Sequence, residues 1–167
     1  MKRIAYILLF SLLLISCGTR SGYFKMEGRF LHMNQGELYV YSPDGGIAGL
    51  DTIKIEAGRF SYEKPCSKLS TLIIIFPNYS TQPIFAESGE AVEVKADASH
   101  LKEMEVEGTE DNELMTKFRK QIASVSPPEE LKYAIAFIKD HPESAVSVYL
   151  LNRYLVQTES PDYKQAV

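Results

Sequence analysis

The fold is decided by residues 50–62, which read Leu-Asp-Thr-Ile-Lys-Ile-Glu-Ala-Gly-Arg-Phe-Ser-Tyr. Apolar and polar side chains alternate on both sides of a short Glu-Ala-Gly segment. Because successive side chains of a strand point to opposite faces, this period of two predicts two strands with one buried and one wet face. Gly58 readily adopts the positive φ angle that a tight turn requires. The stretch therefore predicts a β-hairpin whose buried side chains are Ile53, Ile55, Phe60 and Tyr62.

Further strand patterns lie on both sides of this hairpin. Residues 24–30 alternate in polarity, residues 37–41 are β-branched and aromatic, and residues 71–76 are apolar without alternation, which is typical of a strand covered on both faces. Shorter strands are predicted at residues 83–86, 91–94 and 104–106. Seven or eight short strands separated by turn residues predict an antiparallel β-sandwich or partly open barrel over residues 24–108.

The period changes after Gly108, and residues 109–167 predict a helical extension, interpreted as a linker to a partner domain. Thr109 is placed to cap a first helix, Ser126 precedes two prolines that end it, and a third helix is predicted from Glu143 to about Gln157. The predicted buried residues are Leu114, Phe118 and Ile122 in the first helix, and Leu131, Ala134, Ile135 and Ile138 in the second. The fold class is therefore α+β.

Residues 1–16 have the order of a secretory signal, in which Lys2 and Arg3 precede an apolar run shorter than the ~20 residues that span a bilayer. The run ends in Leu14-Ile15-Ser16-Cys17-Gly18, which resembles the lipobox of bacterial lipoproteins. In that class the cysteine thiol is alkylated by diacylglycerol, and the signal is then cut on the N-terminal side of the cysteine. The new amino group is acylated, with chains such as palmitate. The resemblance implies a lipid anchor on Cys17, with residues 17–23 forming the lipidated cysteine and a tether to the cell envelope.

The residues after the lipobox indicate which side of the membrane the protein faces. Some lipoproteins sent to the exterior of Gram-negative cells resemble one another in carrying an acidic cluster behind the cysteine, and none follows Cys17. We therefore expect an outer-membrane lipoprotein that faces the periplasm. The residues themselves leave inner versus outer membrane open.

Charge and cysteine content exclude two classes of function. Loss of residues 1–16 leaves 16 basic and 22 acidic side chains, a net charge of −6, which argues against nucleic acid as a partner. Once Cys17 is lipidated, Cys66 has no second thiol with which to form a disulfide or to resolve a mixed disulfide. Lys68 is expected to lower the pKa of the Cys66 thiol slightly.

The sequence contains no recognisable catalytic or metal motif. His32, His100 and His141 are isolated from one another in the sequence and lack the spacing of a helical zinc site, and no Gly-x-Ser-x-Gly elbow occurs. An acidic string at residues 103–113 does not match a calcium loop and is interpreted as the wet face of a strand followed by a helix N-terminus. We predict a non-enzyme without metal or cofactor, although a triad of residues distant in sequence stays open.

Two sets of side chains are candidates for binding. Alternating aromatic residues in strands usually pack a core, but an exposed aromatic sheet face can also bind sugars or peptides; the candidate residues are Tyr39, Tyr41, Tyr62 and Tyr79. The third helix is apolar nearly all the way round and needs cover on more than one face. Its candidate partner residues are Val146, Tyr149, Leu150 and Tyr154.

The end of the chain motivates the same expectation of a partner. Ser160-Pro161-Asp162 has the order of a helix start, yet few residues follow it. We expect part of the stretch from Val146 to Val156 to stay exposed in a monomer, where a following domain or a second copy of the chain would cover it.

Several segments together resemble one protein family. They are the lipobox, Glu27-Gly28-Arg29-Phe30, residues 37–41, the hairpin at 51–62, and Phe137-Ile138-Lys139-Asp140-His141-Pro142-Glu143-Ser144. This order is similar to the domain of unknown function that precedes the catalytic domain of lipoprotein thiol-disulfide oxidoreductases of the thioredoxin-like, peroxiredoxin-related type. The resemblance implies a β module and a helical linker before a Cys-x-x-Cys domain. No such motif occurs in this chain, so no catalytic residue carries over.

The leading interpretation is a membrane-anchored, non-catalytic β module that binds or positions a partner. The first alternative is the leading part of a thioredoxin-like oxidoreductase whose catalytic domain is absent from this chain. A sugar-binding, peptide-binding or hydrolytic lipoprotein is the third interpretation.

Replacing Cys17 tests the lipid anchor. We expect the wild-type protein to partition with membranes and to incorporate radioactive palmitate, and Cys17→Ser to do neither, because acyl chains supply the affinity for the bilayer. The Cys66→Ser variant is the matched control and should label like the wild type. Equal labelling of the wild type and Cys17→Ser would contradict the lipobox interpretation.

Overall fold

The computed structural model describes residues 19–158 and 161–166. The predicted signal peptide, Cys17 and Ser160 lie outside the described residues. The strands are β1 (Tyr23–Leu31), β2 (Gln35–Tyr41), β3 (Leu50–Glu56), β4 (Arg59–Pro65), β5 (Ser70–Ile75), β6 (Thr81–Ala86), β7 (Ala91–Asp97) and β8 (Glu105–Glu107). The helices are α1 (Glu110–Ile122), α2 (Pro127–Asp140), α3 (Ala145–Leu151), which continues as a π-helical turn (Asn152–Val156), and α4 (Tyr163–Ala166).

The strands form one mixed sheet in the order β6-β5-β2-β3-β4-β1-β7-β8, which curls into a nearly closed barrel. The α+β prediction is confirmed, with one correction: β1 and β7 run parallel, so the sheet is not purely antiparallel. Alternate side chains of all eight strands meet inside the barrel, as the period of two predicts. The large and fully buried members of this core are Phe24, Met26, Leu38, Ile53, Ile55, Phe76, Ile74, Ile84 and Met104.

The central hairpin has the predicted turn and the predicted inward side chains. Ala57 and Gly58 adopt φ angles of 50° and 72°, the positive values of a two-residue turn that matches the twist of the strands. Beyond the turn, β3 and β4 pair only at Glu56 and Arg59. The sheet therefore divides into two four-stranded halves, β6-β5-β2-β3 and β4-β1-β7-β8.

Side chains bridge the gap where β3 and β4 diverge. The Lys64 Nζ atom lies 2.7 Å from Asp51 Oδ2, and the Tyr62 hydroxyl donates a hydrogen bond to the same oxygen at 3.2 Å. Burial, reinforced by the negative charge of Asp51, raises the pKa of Tyr62 well above its usual value. These contacts join the two halves across the end that the turn leaves open.

Helix α1 fills the opposite gap, between the outer strands β6 and β8. Asn112 exchanges two hydrogen bonds with the backbone of Phe85 in β6, accepting from its N–H at 3.0 Å and donating to its carbonyl at 2.7 Å. Thr116 does the same for Val106 in β8, at 2.8 and 2.9 Å. Edge strands carry backbone groups that need partners, and here two side chains supply them. We call this contact the seam.

Arg119 completes the seam one turn further along α1. Its guanidinium is 3% exposed and donates to the Gln82 side chain at 2.8 Å, the Pro83 carbonyl at 2.7 Å and the Met104 carbonyl at 3.4 Å. Burial lowers its pKa to about 10, because the charged form is removed from water. Asn112, Thr116 and Arg119 are spaced four and three residues apart, so they lie on one face of the helix.

The helices form a second, smaller core on the outside of β6. Phe85 points outward from that strand and its ring meets Tyr149 at 6.4 Å between centroids. The buried members of this core are Phe85, Met115, Phe118, Ala134, Phe137, Val146 and Leu150. No helix within residues 19–158 and 161–166 has the length and apolar content needed to cross a membrane.

The helices differ from the prediction in one detail and add to it in another. In α2 the buried residues are Ala134 and Phe137, whereas Leu131, Ile135 and Ile138, predicted to be buried, are half-buried, because α2 packs on α1 and α3 rather than on the sheet. Residues 109–167 were predicted to be a helical extension and a linker to a partner domain. Helix α1 of this extension also supplies contacts that close the barrel.

Removing one hydroxyl tests the seam. Thr116→Val keeps the shape of the side chain but leaves the buried N–H and carbonyl of Val106 unpaired, each at a cost of about 1–3 kcal/mol. We expect a lower free energy of unfolding in urea with an unchanged dependence on urea concentration. Thr52→Val, at an exposed position in β3, is the control. Equal stability of the two variants would contradict the proposed role of the seam.

Candidate functional site

The two half-sheets present very different outer faces. The outer face of β4-β1-β7-β8 is charged almost throughout. It contains several ion pairs, such as Lys25 with Glu27 at 2.7 Å and Lys95 with Glu107 at 2.9 Å. Its charged residues are Arg59, Glu63, Lys25, Glu27, Arg29, Glu93, Lys95, Glu105 and Glu107. This is the composition expected of a solvated sheet face.

The outer face of the other half-sheet carries two neighbouring rows without a charged side chain. Residues paired across antiparallel strands share a face, so the strand register defines each row. The first row runs Leu50, Tyr41, Ile73 and Pro83, and the second runs Thr52, Tyr39, Ile75 and Thr81, each in the strand order β3, β2, β5 and β6. We call these eight residues the tyrosine face.

Solvent reaches the β3, β2 and β5 side of the tyrosine face. Tyr39 is 43% exposed, Tyr41 37% and Leu50 63%, whereas Ile73 and Pro83 are buried toward the helices. The tip of the β5–β6 turn adds Tyr79, two residues before Thr81, which is 88% exposed. Tyr79 has a φ angle of 62°, a left-handed conformation that is unfavourable for an aromatic residue.

The structure thus brings together three of the four tyrosines that the sequence singled out. Tyr39 and Tyr41 lie side by side on the exposed face, and Tyr79 lies at its end. Tyr62 does not belong to this set and corrects the prediction. It points into the barrel with its ring 6% exposed, because it follows the inward alternation of β4, and its hydroxyl is bonded to Asp51.

The candidate partner residues on the third helix are less exposed than the sequence suggested. Val146 and Leu150 are completely buried in the helical core, so neither forms a contact surface in this chain. Tyr149 and Tyr154 are half-buried against Phe85 and Phe118. The exposed apolar side chain of this helix is Val148, at 68%. The helix is covered on two sides because both α2 and β6 pack on it.

A cleft of about 460 Å³ lies where the N-terminal ends of α1 and α3 approach the β4–β5 loop. Its carboxylates are Glu87, Glu110, Asp111, Asp140 and Glu143, and no lysine or arginine lines it. Ser144 donates a hydrogen bond to Asp111 at 2.6 Å and caps α3 by accepting from the N–H of Val146. Helix N-termini stabilise negative charge, which accounts for Glu110 and Asp111 at the start of α1 and for Glu143 just before α3.

A smaller cavity of about 100 Å³ lies beside Arg119, between α1 and the π-helical turn. The Tyr154 hydroxyl there donates to Glu130 at 3.0 Å, and burial together with this contact raises the pKa of Tyr154 to about 12. The guanidinium of Arg119 already donates to three acceptors of the seam. The guanidinium therefore links β6 to the start of β8 through these hydrogen bonds.

Two histidines that are distant in sequence meet at one carboxylate. His32 Nδ1 lies 2.8 Å from Asp97 Oδ1, and His100 Nδ1 lies 3.8 Å from Asp97 Oδ2. Ser99 donates to Asp97 at 2.5 Å, and the hydrogen bonds from Ser99 and His32 hold the pKa of Asp97 far below its usual value. Ser99 Oγ also lies 2.9 Å from His100 Nδ1, so the serine and the carboxylate approach the same ring nitrogen, whereas a catalytic triad places them on opposite nitrogens of the histidine.

The described residues also lack a cluster of metal-binding side chains. Among residues 19–158 and 161–166, no group of three or more His, Cys, Asp or Glu side chains is arranged to hold a metal ion. The sequence offered no signal for the pairing of His32 with His100, since 68 positions separate them and only the parallel pairing of β1 with β7 brings them close.

Cys66 is buried behind the end of β4, and the prediction about its pKa was wrong. Burial raises the pKa of the Cys66 thiol, and the carboxylates of Glu87 and Asp44 add to the effect. The thiol donates to the Lys68 carbonyl at 3.1 Å, while the Lys68 ammonium is directed to the Asp44 carbonyl at 3.5 Å. A lysine two residues away therefore does not activate this cysteine.

The described chain is thus a curled eight-stranded sheet closed by a helix, with two uncharged, aromatic-containing rows on one outer face. Comparison with family models matches residues 24–115 to the family described as "Domain of unknown function (DUF4369)". Because this match covers more than half of the 167 residues, the chain belongs to that family. No curated protein matches the chain.

The family match spans almost the whole sheet and the start of the first helix. It begins at Phe24 in β1, covers β2 to β8 and ends at Met115 in α1, before Thr116 and Arg119 of the seam. The resemblance noted from sequence to a domain of unknown function is thereby supported. Its association with a thioredoxin-like domain stays a prediction.

Alkylation of Cys66 tests the burial of the thiol. The thiolate is the reactive form, and a raised pKa makes it scarcer at pH 8 than for an exposed cysteine. In Cys17→Ser, where Cys66 is the remaining cysteine, we expect the native protein to react with iodoacetamide far more slowly than the same chain in concentrated urea, and to show no catalytic reduction of insulin. Native reaction as fast as that of free cysteine, or insulin reduction abolished by Cys66→Ser, would contradict this prediction.

Proposed function

We propose that this protein is a lipoprotein of the cell envelope whose barrel is a non-catalytic binding module. The lipobox at Cys17 supports the anchor, and the tyrosine face supports the binding role. The mature protein would be held at a membrane, on the periplasmic side of the outer membrane, by acyl chains on its first residue. In this proposal the membrane fixes the place of the module and the sheet supplies the recognition surface.

The single observation that carries the binding role is the contrast between the two outer faces. Both are outer faces of one sheet in one acidic protein, yet one is densely charged and the other carries two uncharged rows. Tyrosine and isoleucine favour the strand conformation on either face, but contiguous exposed apolar surface marks interaction sites in soluble domains. We therefore assign the ligand to the tyrosine face.

A second candidate function is to position a thioredoxin-like domain against the helical layer. The exposed side chain of Val148 and the half-buried Leu131 and Ile135 favour it, since these apolar groups lie outside both cores. Such a domain would follow the helices in a longer product or be a separate protein. Self-association through the same helices is the alternative form of this contact.

Binding to the envelope tests the leading proposal. Full-length protein in lauryldimethylamine oxide would be sedimented with envelope fragments of the producing cell, from which lipid has been extracted so that the anchor has nothing to insert into. We expect the wild type to co-sediment and the double variant Tyr39→Thr/Tyr41→Thr to stay in solution. Threonine keeps the preference for strands while removing the rings.

The matched control is Tyr133→Ala, since Tyr133 on α2 is 44% exposed, almost the same as Tyr39. It should sediment like the wild type. Urea unfolding of each variant verifies that the barrel is intact. Equal sedimentation of the double variant and the wild type would show that the tyrosine face is not the binding surface.

A further inference from the structure

We infer that the ligand of the tyrosine face is a neutral oligosaccharide; this inference rests on the binding role proposed above and names the chemistry of the ligand. It follows from three properties of the face, namely the arrangement of its rings, its lack of charge and its size.

The rings of Tyr39 and Tyr41 suit the faces of pyranose sugars. The two residues are neighbours on one side of β2, about 7 Å apart along the strand. Aromatic rings carry negative charge on their faces, so they attract the slightly positive C–H groups that line one face of a pyranose ring. Two tyrosines in a row, flanked by Ile75 and Leu50, therefore offer a flat platform along which successive sugar units can stack.

Polar groups around the rings match the hydroxyl groups of a sugar and not an ion. The tyrosine hydroxyls and the hydroxyls of Thr52 and Thr81 can both donate and accept hydrogen bonds. Neither row contains a lysine, arginine, aspartate or glutamate. The next row of the same face pairs Lys54 with Glu37, so the charges that border the two rows cancel and give no net attraction to a phosphate, an anionic lipid headgroup or a charged peptide. A neutral glycan requires no such attraction.

The size of the face distinguishes a glycan from a folded protein. Strands lie about 4.8 Å apart and residues of one face about 7 Å apart, so the exposed rows on β3, β2 and β5 cover on the order of 200 Å². A stable protein interface buries about 800 Å² on each partner. The face does not extend toward β6, because Ile73 in β5 and Pro83 in β6 are already buried. A short oligosaccharide fills such a surface.

Titration of tyrosine fluorescence gives a direct test, because the chain contains no tryptophan to mask it. The probes are hexasaccharides of glucose, mannose, xylose and N-acetylglucosamine, with hexagalacturonic acid as the anionic comparison, and the protein is the full chain in lauryldimethylamine oxide, which has no sugar headgroup. We expect saturable binding of at least one neutral probe. Tyr39→Thr/Tyr41→Thr should bind it at least about tenfold more weakly, the loss that corresponds to one favourable stacking contact.

Two controls identify the rings as the cause. Tyr133→Ala should bind like the wild type, and Tyr39→Phe/Tyr41→Phe should bind more tightly than the threonine variant because it keeps both rings. Failure of all four neutral probes to bind, equal binding by the threonine variant, or preference for the anionic probe would overturn the inference.

Treatment of the envelope fragments separates this inference from the proposed function and needs no variant. Periodate cleaves the vicinal diols of sugars and should abolish co-sedimentation of the wild type, whereas protease digestion should leave it. If protease abolishes tyrosine-dependent binding and periodate does not, the ligand is a protein and the glycan inference fails while the binding role stands. If untreated fragments bind no protein at all, both fail.

Discussion

The structure depends on the hydrogen bonds that α1 makes to the two outer strands of the sheet. A sheet that curls without closing leaves two rows of backbone donors and acceptors facing each other, and each buried group without a partner costs about 1–3 kcal/mol. Asn112 and Thr116 satisfy one strand each, and Arg119 spans both. With these groups paired, the inner core can be fully dry, and the outside of β6 becomes free to carry Phe85 and the helical core.

The seam also explains which outer part of the sheet stays exposed. The helices occupy the outside of β6, and ion pairs occupy the outside of the other half-sheet, so the exposed outer sides of β3, β2 and β5 remain. That region lies on rigid, centrally paired strands, where side chains hold their positions better than on loops. The sheet therefore fixes the positions of Tyr39 and Tyr41. The acidic cleft, in contrast, lies where the N-terminal ends of α1 and α3 meet.

Sequence reasoning reached the strands, the central turn and the helical third of the chain, because each leaves a local trace in the period of two, in the glycine of the turn or in the period of 3.6. It also selected three exposed tyrosines and predicted the inward direction of Tyr62 from the alternation of the hairpin, but grouped Tyr62 with the exposed tyrosines as a candidate ligand residue. It missed the seam entirely. Asn112, Thr116 and Arg119 read as an ordinary polar helix surface, and only the approach of β6 and β8, distant in the chain, makes them buried. The burial of Cys66 and the meeting of His32 with His100 were missed for the same reason.

The position of α1 in the chain imposes an order on folding. All eight strands precede it, so during synthesis of the polypeptide the sheet emerges before the helix that completes it, and Arg119 is the last residue of the seam to emerge. Until then β6 and β8 present unsatisfied edges, the kind of surface that pairs with a second nascent chain. Chaperones that bind exposed strand edges would thus meet this protein during one short interval, which ends when the helix docks.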